Sequence, residues 1–175
     1  MRDKAALREP VATVETLPMV AAIVSTLLSF ALVLLLFLMW VGLVGMDSLW
    51  ILIPFFEAPP ILWIPGMILL VFGILIHAWS RWVRKHMASS WEMTEEHALI
   101  TSGPYRFVRH PSYTSYALCF VGLFLMLPSL VTTILLSGVP AYNMIAKREE
   151  VMLLEHFGDE YREYMNRTGR MVPGA

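Results

Sequence analysis

Residues 17–44, LPMVAAIVSTLLSFALVLLLFLMWVGLV, form 28 consecutive positions without a charged side chain and decide the class of fold. A helix of about 20 apolar residues crosses the hydrocarbon core of a bilayer, which is about 30 Å thick. A cleaved signal peptide has a shorter apolar region, of about 7–15 residues, followed by a cleavage site of small residues. No such site follows this stretch. We therefore expect a retained membrane-spanning helix.

The composition of the whole chain agrees with a membrane protein. Of its 175 residues, 57% are hydrophobic and 15% are charged, whereas soluble domains carry about 25% charged residues. The net charge of −1 argues against a nucleic-acid partner, because phosphate binding needs an excess of Lys and Arg. The single cysteine, Cys119, excludes an internal disulfide and a Cys-rich metal site, and we expect it to pack against apolar neighbours.

Further apolar segments follow at residues 61–80, 112–127 and 129–145. Pro128 separates the last two and suits the first turn of a helix, so we expect a tight helical hairpin with short arms. The connection 47–57 contains an apolar piece with Pro54 that is too short to cross, which leaves an interfacial segment or a plain loop. The expected fold is an all-α, polytopic integral membrane bundle without a Rossmann domain.

Basic residues alternate along the chain between connections. The N-terminus, residues 81–111 and the tail carry Lys and Arg, whereas residues 45–60 and the Pro128 turn carry none. The positive-inside rule then favours four spans with both termini cytoplasmic. The predicted organisation is a cytoplasmic segment at 1–16, two spans within 17–87, and a C-terminal region at 88–175 that includes the transmembrane hairpin 112–146 and the amphipathic helices after it.

The tail is expected to continue the last span as a cytoplasmic amphipathic helix. Val151, Leu154 and Tyr161 recur at helical spacing among acidic residues, so one face is apolar. We expect Gly158 to end this helix and Asp159 to cap a short second one over residues 160–168.

The densest polar cluster lies at residues 97–113, where His110 directly precedes Pro111. If Pro111 begins a helix, His110 lies at its N-terminus, where free N–H groups and the positive end of the dipole favour an anion such as a cofactor's carboxylate or phosphate. The alternative interpretation is that Pro111 only starts a helix, while Arg106 and Arg109 extend to lipid headgroups.

A second cluster, at Glu149 and Glu150, follows the fourth span. Because the arms of a hairpin end side by side, we expect these acids to lie near Arg109 and His110. Two carboxylates beside basic groups would hold ribose hydroxyls or a cationic ligand. The alternative is an exposed charge run that is neutralised by the two basic residues before it.

Four motifs together resemble a known family: GPY at 103–105, HPSY at 110–113, EE at 149–150 and FGDEY at 157–161. The chain is similar in these motifs to the isoprenylcysteine carboxyl methyltransferases and to related prokaryotic membrane methyltransferases. The resemblance covers about residues 97–164, and it extends more distantly to the phospholipid N-methyltransferases.

The resemblance implies S-adenosyl-L-methionine as the methyl donor, bound by the region 88–175 at the cytoplasmic face of the cell membrane. It also implies a lipophilic acceptor, prenylated or lipid-like, that enters from the bilayer and is methylated on a carboxylate. The implied catalytic residues are Arg109 and Glu150. No metal site is expected. The residues that are implied to contact the cofactor are His97, Ala98, Leu99, Ile100, Tyr105, His110, Pro111, Ser112, Tyr113, Glu149 and Glu150.

Methyl transfer from a sulfonium needs alignment of donor and acceptor and the exclusion of water, and an ionised carboxylate needs no general base. Arg109 is the candidate for gripping this carboxylate by two parallel hydrogen bonds. Tyr105 and Tyr113 are expected to face the sulfonium or to flank the adenine. Family members use an arginine near the acidic pair for the acceptor, and Lys147 and Arg148 are offset from that position, which leaves the acceptor open.

Three other functions stay open on sequence alone. One is a phospholipid or amine N-methyltransferase. Another is a membrane sterol-type reductase that uses NADPH. A non-enzymatic alternative is a haem-binding or small transport module that uses His77, His86, His97 and His110.

Overall fold

The computed structural model describes residues 16–45, 59–84 and 98–174. In these ranges the chain is helical, without a strand, and one isolated parallel bridge joins Val108 to Gly169. The expected all-α class is confirmed. The elements are α1 (Thr16–Trp40), α2 (Pro60–Arg84), a short 3-10 helix (Gly103–Arg106), α3 (Pro111–Met126), α4 (Leu130–Leu136), α5 (Gly138–Phe157) and α6 (Asp159–Arg167). The predicted N-terminal segment, the interfacial piece at 47–57 and His97 lie outside the described residues.

Helices α1 and α2 are each 25 residues long and apolar enough to cross a membrane. Helix α1 ends at Trp40, earlier than the apolar run does, and Gly42 follows it in the left-handed region with φ of 79°. Many large apolar side chains on both helices are exposed, as expected for surfaces that face lipid. Examples are Leu17, Leu27, Phe30, Trp40, Ile61, Ile68, Leu75 and Trp82.

Helix α2 packs along α3, and the close approach depends on glycine. A Cβ atom on Gly73 would lie 2.7 Å from Cys119 Sγ and 2.8 Å from the backbone oxygen of Ser115. On the α3 side, a Cβ atom on Gly122 would lie 2.7 Å from the oxygen of Gly66. Small residues let helix backbones approach closely, which is the usual basis of helix association in membranes. Cys119 therefore has the packing role that was expected.

Helix α1 packs on the other side of the molecule, against α4 and α5. The buried Ser25 hydroxyl lies 3.5 Å from that of Ser137, and Thr26 shares a hydrogen bond with the Tyr142 hydroxyl. Between these two seams lies an apolar core centred on Phe120. The seams therefore place α3 and α5 side by side in the interior.

The predicted hairpin is present, and its turn is made by Leu127, Pro128 and Ser129. Pro128 was expected in the first turn of the second arm, but it lies before the start of α4. Ser129 is the N-cap of α4 instead, and it forms a capping box with Thr132 in which each side chain bonds the other residue's backbone N–H.

The second arm of the hairpin is divided, whereas a single span over 129–145 was expected. Helix α4 ends at Leu136 and α5 begins at Gly138. Pro140 explains the break, because it has no N–H to donate to the Leu136 carbonyl four residues earlier and its ring crowds that carbonyl. Ser137 keeps helical angles, with φ of −63° and ψ of −23°, so one helix leads directly into the next.

The tail follows its prediction in part. Helix α5 runs on to Phe157, and Gly158 ends it with φ of 56°, as expected. Asp159 is not the cap of the next helix: Gly158 occupies that position, and Asp159 is the first residue of α6. The Asp159 carboxylate accepts from Arg162 one turn later instead. An acid in the first turn still stabilises α6, because its negative charge interacts favourably with the positive end of the helix dipole.

Candidate functional site

The site forms where the beginning of α3 meets the middle of α5 and the segment after α6. Glu149 and Glu150 lie on consecutive positions of α5, and both are 3% exposed. His110 is the N-cap of α3, and it is 7% exposed. Two carboxylates buried in this way must be paired or hydrogen-bonded, because an isolated buried charge is costly.

Glu150 is held by two arginines. Arg109 Nε donates to Oε1 over 2.8 Å, and Arg170 Nε donates to Oε2 over 2.8 Å while its Nη2 lies 2.7 Å from the same oxygen. His110 Nε2 lies 3.5 Å from Oε1. Both oxygens of Glu150 therefore have cationic partners within the protein.

Arg109 is also committed elsewhere. Its Nη1 donates to the backbone oxygens of Met165 and Thr168, which lie at the end of α6. Its side chain is 8% exposed. These contacts make Arg109 the link between α3, α5 and α6, and they are not those of an arginine that extends to lipid headgroups.

Glu149 has fewer partners than its neighbour. The Tyr113 hydroxyl donates to Oε1 over 2.6 Å, and His110 Nδ1 lies 3.3 Å from Oε2. The rings of His110 and Tyr113 stack in parallel, with centroids 5.4 Å apart and an angle of 2°. One histidine thus contacts both acids and a tyrosine ring.

The cluster shifts the acidity of two of its members. Burial alone would raise the pKa of Glu150, but interactions with His110, Arg170 and Arg109 lower it to about 2. Burial alone would lower the pKa of His110, but hydrogen bonding and charge attraction to Glu149 and Glu150 raise it above its ordinary value. Opposite charges within a few ångströms account for both directions.

A C-terminal strap, residues 168–172, closes the site against the start of α3. The backbone N–H groups of Arg109 and His110 donate to the oxygens of Gly169 and Arg170, over 2.9 Å and 3.0 Å. The Thr114 hydroxyl donates to the oxygen of Met171 over 2.7 Å. The strap thereby fixes the position from which Arg170 reaches Glu150.

The structure brings together five residues predicted for the site, namely Arg109, His110, Tyr113, Glu149 and Glu150. The interpretation of residues 147–150 as a wholly exposed charge run is wrong for the two acids, although Lys147 and Arg148 are exposed. Pro111 does begin α3. The roles assigned to these residues stay predictions.

Other predicted residues lie beside this cluster. Tyr105 and Ser112 meet through Ser80 of α2, whose hydroxyl lies 3.1 Å from that of Tyr105 and 2.8 Å from that of Ser112. Ala98, Leu99 and Ile100 lie in the non-helical segment that leads to the 3-10 helix. These three residues precede the cluster in the chain, and no contact between them and its side chains is described.

Sequence reasoning missed Arg170 and Tyr164, and it placed Tyr161 only on an apolar helix face. Tyr161 is 1% exposed, and the charges of Glu150 and Arg109 act on its hydroxyl. Tyr164 donates to the backbone oxygen of Tyr105. The spacing of Tyr161 and Tyr164 on an amphipathic helix was a usable signal for burial. Arg170 follows the last helix without any periodic pattern, so nothing local indicated its partner.

Comparison with known proteins identifies relatives of the chain. Residues 61–160 match the family model for phospholipid methyltransferase. The Protein-S-isoprenylcysteine O-methyltransferase of Schizosaccharomyces pombe is 33% identical over 91 residues, which are 50% of this chain and 38% of that protein. The human protein of the same name is 29% identical over 125 residues, which are 67% of this chain and 44% of that protein. The chain thus spans less than half the length of these relatives.

A solved structure also resembles the chain, namely that of the eukaryotic intramembrane Ras methyltransferase ICMT (isoprenylcysteine carboxyl methyltransferase). The TM-score is 0.54 at 21% sequence identity, over 93% of this chain and 54% of that chain. This likeness confirms the predicted fold, a helical membrane bundle. The resemblance that the four sequence motifs indicated is confirmed by these relatives.

Proposed function

Because the chain belongs to the phospholipid methyltransferase family, we propose that it is an integral membrane methyltransferase that transfers a methyl group from S-adenosyl-L-methionine to the carboxylate of a lipophilic acceptor. The observation that carries this proposal is the buried meeting of Glu149 and Glu150 with His110 and Tyr113. The names of the relatives favour carboxyl methylation over the reductase, haem-binding and transport alternatives.

The site offers groups that fit such a cofactor. Two buried polar atoms beside the acids make no hydrogen bond with the residues that the structure describes: the Tyr161 hydroxyl, and His110 Nε2, whose contact with Glu150 Oε1 is a long ion pair of 3.5 Å. Buried polar atoms normally have partners, so unsatisfied ones at a site fit a bound polar ligand. The acids fit its cationic or hydroxyl groups. When bound, S-adenosyl-L-methionine supplies a methyl group that is activated by a sulfonium.

Between the two acids, the contacts favour Glu149 as the one that meets the cofactor. Among the described residues, each oxygen of Glu149 has one partner, whereas both oxygens of Glu150 are taken by Arg109 and Arg170. Glu150 and Arg109 then act by holding the start of α3 against α5. His110 and Tyr113 orient Glu149, and a gripping role for Arg109 would require it to leave its present partners.

The burial of the cluster supports the proposed reaction chemically. A carboxylate acceptor is ionised at neutral pH, so no residue has to remove a proton from it. The residues of the site then serve to align the reactants and to keep water out. We propose that the acceptor, prenylated or lipid-like, arrives sideways from the bilayer, and that both termini and the site face the cytoplasm of a multi-pass protein.

A second candidate follows from the description of the matching family, which names phospholipids as acceptors. An amine acceptor carries a proton at neutral pH and needs a base before it can be methylated. His110 and Glu149 would be the nearest candidates. Radiolabelled methyl transfer to prenylcysteine, fatty-acid and aminolipid acceptors separates the two functions: label in a base-labile ester supports carboxyl methylation, and label in an amine overturns it.

The cofactor site is tested by titrating the purified protein with S-adenosylhomocysteine and, separately, with NADPH. We expect His110→Ala, Glu149→Gln and Glu150→Gln each to weaken S-adenosylhomocysteine binding by about tenfold or more, because each loses a charged hydrogen bond or its support. Glu155→Gln, an exposed acid on the same helix, is the matched control. Unchanged affinity in all three site variants, or saturable binding of NADPH alone, contradicts the assignment.

A further inference from the structure

Helix α1 lies outside residues 61–160, the part of the chain that matches the family model, but it contacts α5 through a tyrosine. The Tyr142 hydroxyl shares a hydrogen bond with the Thr26 hydroxyl and donates to the Ala22 oxygen over 3.4 Å. Tyr142 is 8% exposed. Hydrogen bonds between helices in apolar surroundings fix how the helices lie against each other. These two bonds, the α1 tether, therefore hold one side chain of α5 from outside the matched region.

The ring of Tyr142 continues this contact into α3. Its centroid lies 4.8 Å from that of Tyr113 and 5.1 Å from that of Tyr116. Aromatic rings at such separations attract each other and restrict each other's orientation. Tyr113 in turn stacks on His110 and donates to Glu149 Oε1 over 2.6 Å. A continuous series of contacts therefore leads from α1 to the acid that is proposed to meet the cofactor.

Glu149 depends on the position of Tyr113 more than its neighbour does. Among the described residues, one oxygen of Glu149 accepts from Tyr113 and the other lies 3.3 Å from His110 Nδ1. Glu150 is held by two arginines instead. A movement of the Tyr113 ring would release Oε1 of Glu149 and leave Glu150 in place. The support that Tyr142 gives to this ring therefore acts on one acid of the pair.

We propose that Tyr142 is a positioning residue through which α1 holds Tyr113, and with it Glu149, in the orientation that binds the cofactor. The inference rests on the proposed function, because it takes Glu149 as the acid that meets S-adenosyl-L-methionine. Tyr142 acts without touching the cofactor: its hydroxyl is bonded to α1 and its ring packs on Tyr113. Preorganised side chains of this kind bind a ligand without a further cost of ordering.

The experiment measures the affinity of the full chain for S-adenosylhomocysteine in lipid nanodiscs, and the unfolding midpoint of the same samples. Tyr142→Phe keeps the ring and removes the hydroxyl, whereas Thr26→Val removes the partner hydroxyl on α1 with little change of shape. We expect each variant to weaken S-adenosylhomocysteine binding by about threefold to tenfold, because each removes a hydrogen bond of the α1 tether. Tyr142→Leu, which removes the ring as well, should weaken binding further.

Ser29→Ala is the matched control, because Ser29 is a buried hydroxyl of α1 that donates to the backbone oxygen of Thr26 within the same helix. It should keep the affinity of the unmodified chain. Unchanged affinity in both Tyr142→Phe and Thr26→Val overturns the proposal. A loss in Tyr142→Phe with full affinity in Thr26→Val also overturns it, since Tyr142 would then act without α1.

A double-mutant cycle separates positioning from general stabilisation. In a Tyr113→Phe background the hydroxyl that bonds Glu149 is already lost, so adding Tyr142→Phe should weaken S-adenosylhomocysteine binding by less than about twofold more. A purely structural role of Tyr142 would weaken binding by the same factor in both backgrounds, and that result contradicts the proposal.

Unfolding midpoints without ligand separate this inference from the proposed function. If the unmodified chain does not bind S-adenosylhomocysteine but the effects of Thr26→Val and Tyr113→Phe on the midpoint are coupled, the proposed function fails and the hold of α1 on Tyr113 stands. If the two effects are additive and both Thr26→Val and Tyr142→Phe bind S-adenosylhomocysteine with full affinity, the inference fails and the proposed function stands. A cooperative unfolding transition in each variant shows that it is folded.

Discussion

The seam between α2 and α3 and the cluster around Glu150 are both buried, but opposite features hold them together. The seam depends on glycine, since the absence of a side chain at Gly73 and Gly122 leaves room for the neighbouring backbone. The cluster depends on added charge, since Arg109 and Arg170 neutralise Glu150. In the seam, close backbone approach is supplemented by neutral hydrogen bonds such as that between Ser80 and Ser112, whereas the cluster is held by buried charges of opposite sign.

The difference also separates the two regions in sequence and in position. The seam lies between segments whose outer faces are apolar and exposed, as lipid contact requires. The cluster collects residues from the start of α3, the middle of α5 and the strap after α6. Loss of one group in the cluster should therefore loosen three parts of the chain, whereas an added atom in the seam should disturb only two helices.

The largest effect is expected from removing the central charge of the cluster. Glu150→Gln leaves Arg109 and Arg170 without their shared anion while keeping the shape of the side chain. Breaking a buried ion pair by removal of one partner costs about 3–5 kcal/mol. We expect a lower thermal unfolding midpoint in detergent, followed by tryptophan fluorescence, and faster proteolysis of the strap.

Glu155→Gln provides the comparison, because this acid is exposed on the same helix and should leave the midpoint nearly unchanged. A midpoint for Glu150→Gln equal to that of Glu155→Gln would show that the buried ion pairs do not hold the three segments together.

Most residues of this cluster could be predicted from the sequence, but the position of Arg170, in the strap that covers Glu150, could not. The Pro128 turn made it clear that α3 begins near the place where the other arm leaves the membrane, so Glu149 and Glu150 could be placed near His110. Arg170 could not be placed in this way. Its position depends on backbone pairing between Val108 and Gly169, which is a tertiary contact without a local pattern.

Two local details show where sequence rules compete. Pro140 predicts a break by its missing N–H, but the apolar run around it favoured one continuous span. Asp159 is a good N-cap residue by type, yet Gly158 takes the cap because the chain must first turn with positive φ. In both cases the backbone conformation of one residue sets a helix boundary that the hydrophobic pattern does not reveal.

A smaller loss is expected from a single added carbon in the seam. Gly73→Ala places a Cβ atom 2.7 Å from Cys119 Sγ and 2.8 Å from the Ser115 oxygen, so the helices must separate. Overpacking of this kind costs about 1–3 kcal/mol, partly offset by the better helix propensity of alanine, about 1 kcal/mol. We expect a lower unfolding midpoint together with an S-adenosylhomocysteine affinity close to that of the unmodified chain.

The double variant Gly73→Ala, Cys119→Ala sharpens this prediction. It removes the sulfur contact but not the contact with the backbone oxygen of Ser115, so it should not restore the midpoint. Gly45→Ala, where the new atom meets nothing within 4 Å, is the control. Full rescue by the second substitution would mean that side-chain crowding, rather than backbone approach, limits the seam.

The last expected effect is a pH dependence that only the cluster should show. The pKa of Glu150 falls from 4.5 to about 2 on folding, so its stabilisation is complete above about pH 4.5 and is lost as the pH falls toward 2. The pKa of His110 rises above 6.5, so its stabilisation is complete below about pH 6.5 and is lost as the pH rises through the folded value. The two groups together predict a plateau of stability between about pH 4.5 and 6.5.

Unfolding midpoints measured on both the acid and the alkaline side of this plateau distinguish the two regions. Gly73→Ala should lower the whole profile and keep its shape, because no titrating group is lost from the seam. His110→Gln should remove the alkaline decline and keep a smaller acid one, since Glu150 loses its contact with His110 but retains both arginines. An alkaline decline that persists in His110→Gln would assign it to another group, and the contact of one histidine with both acids would then not contribute to stability through its charge.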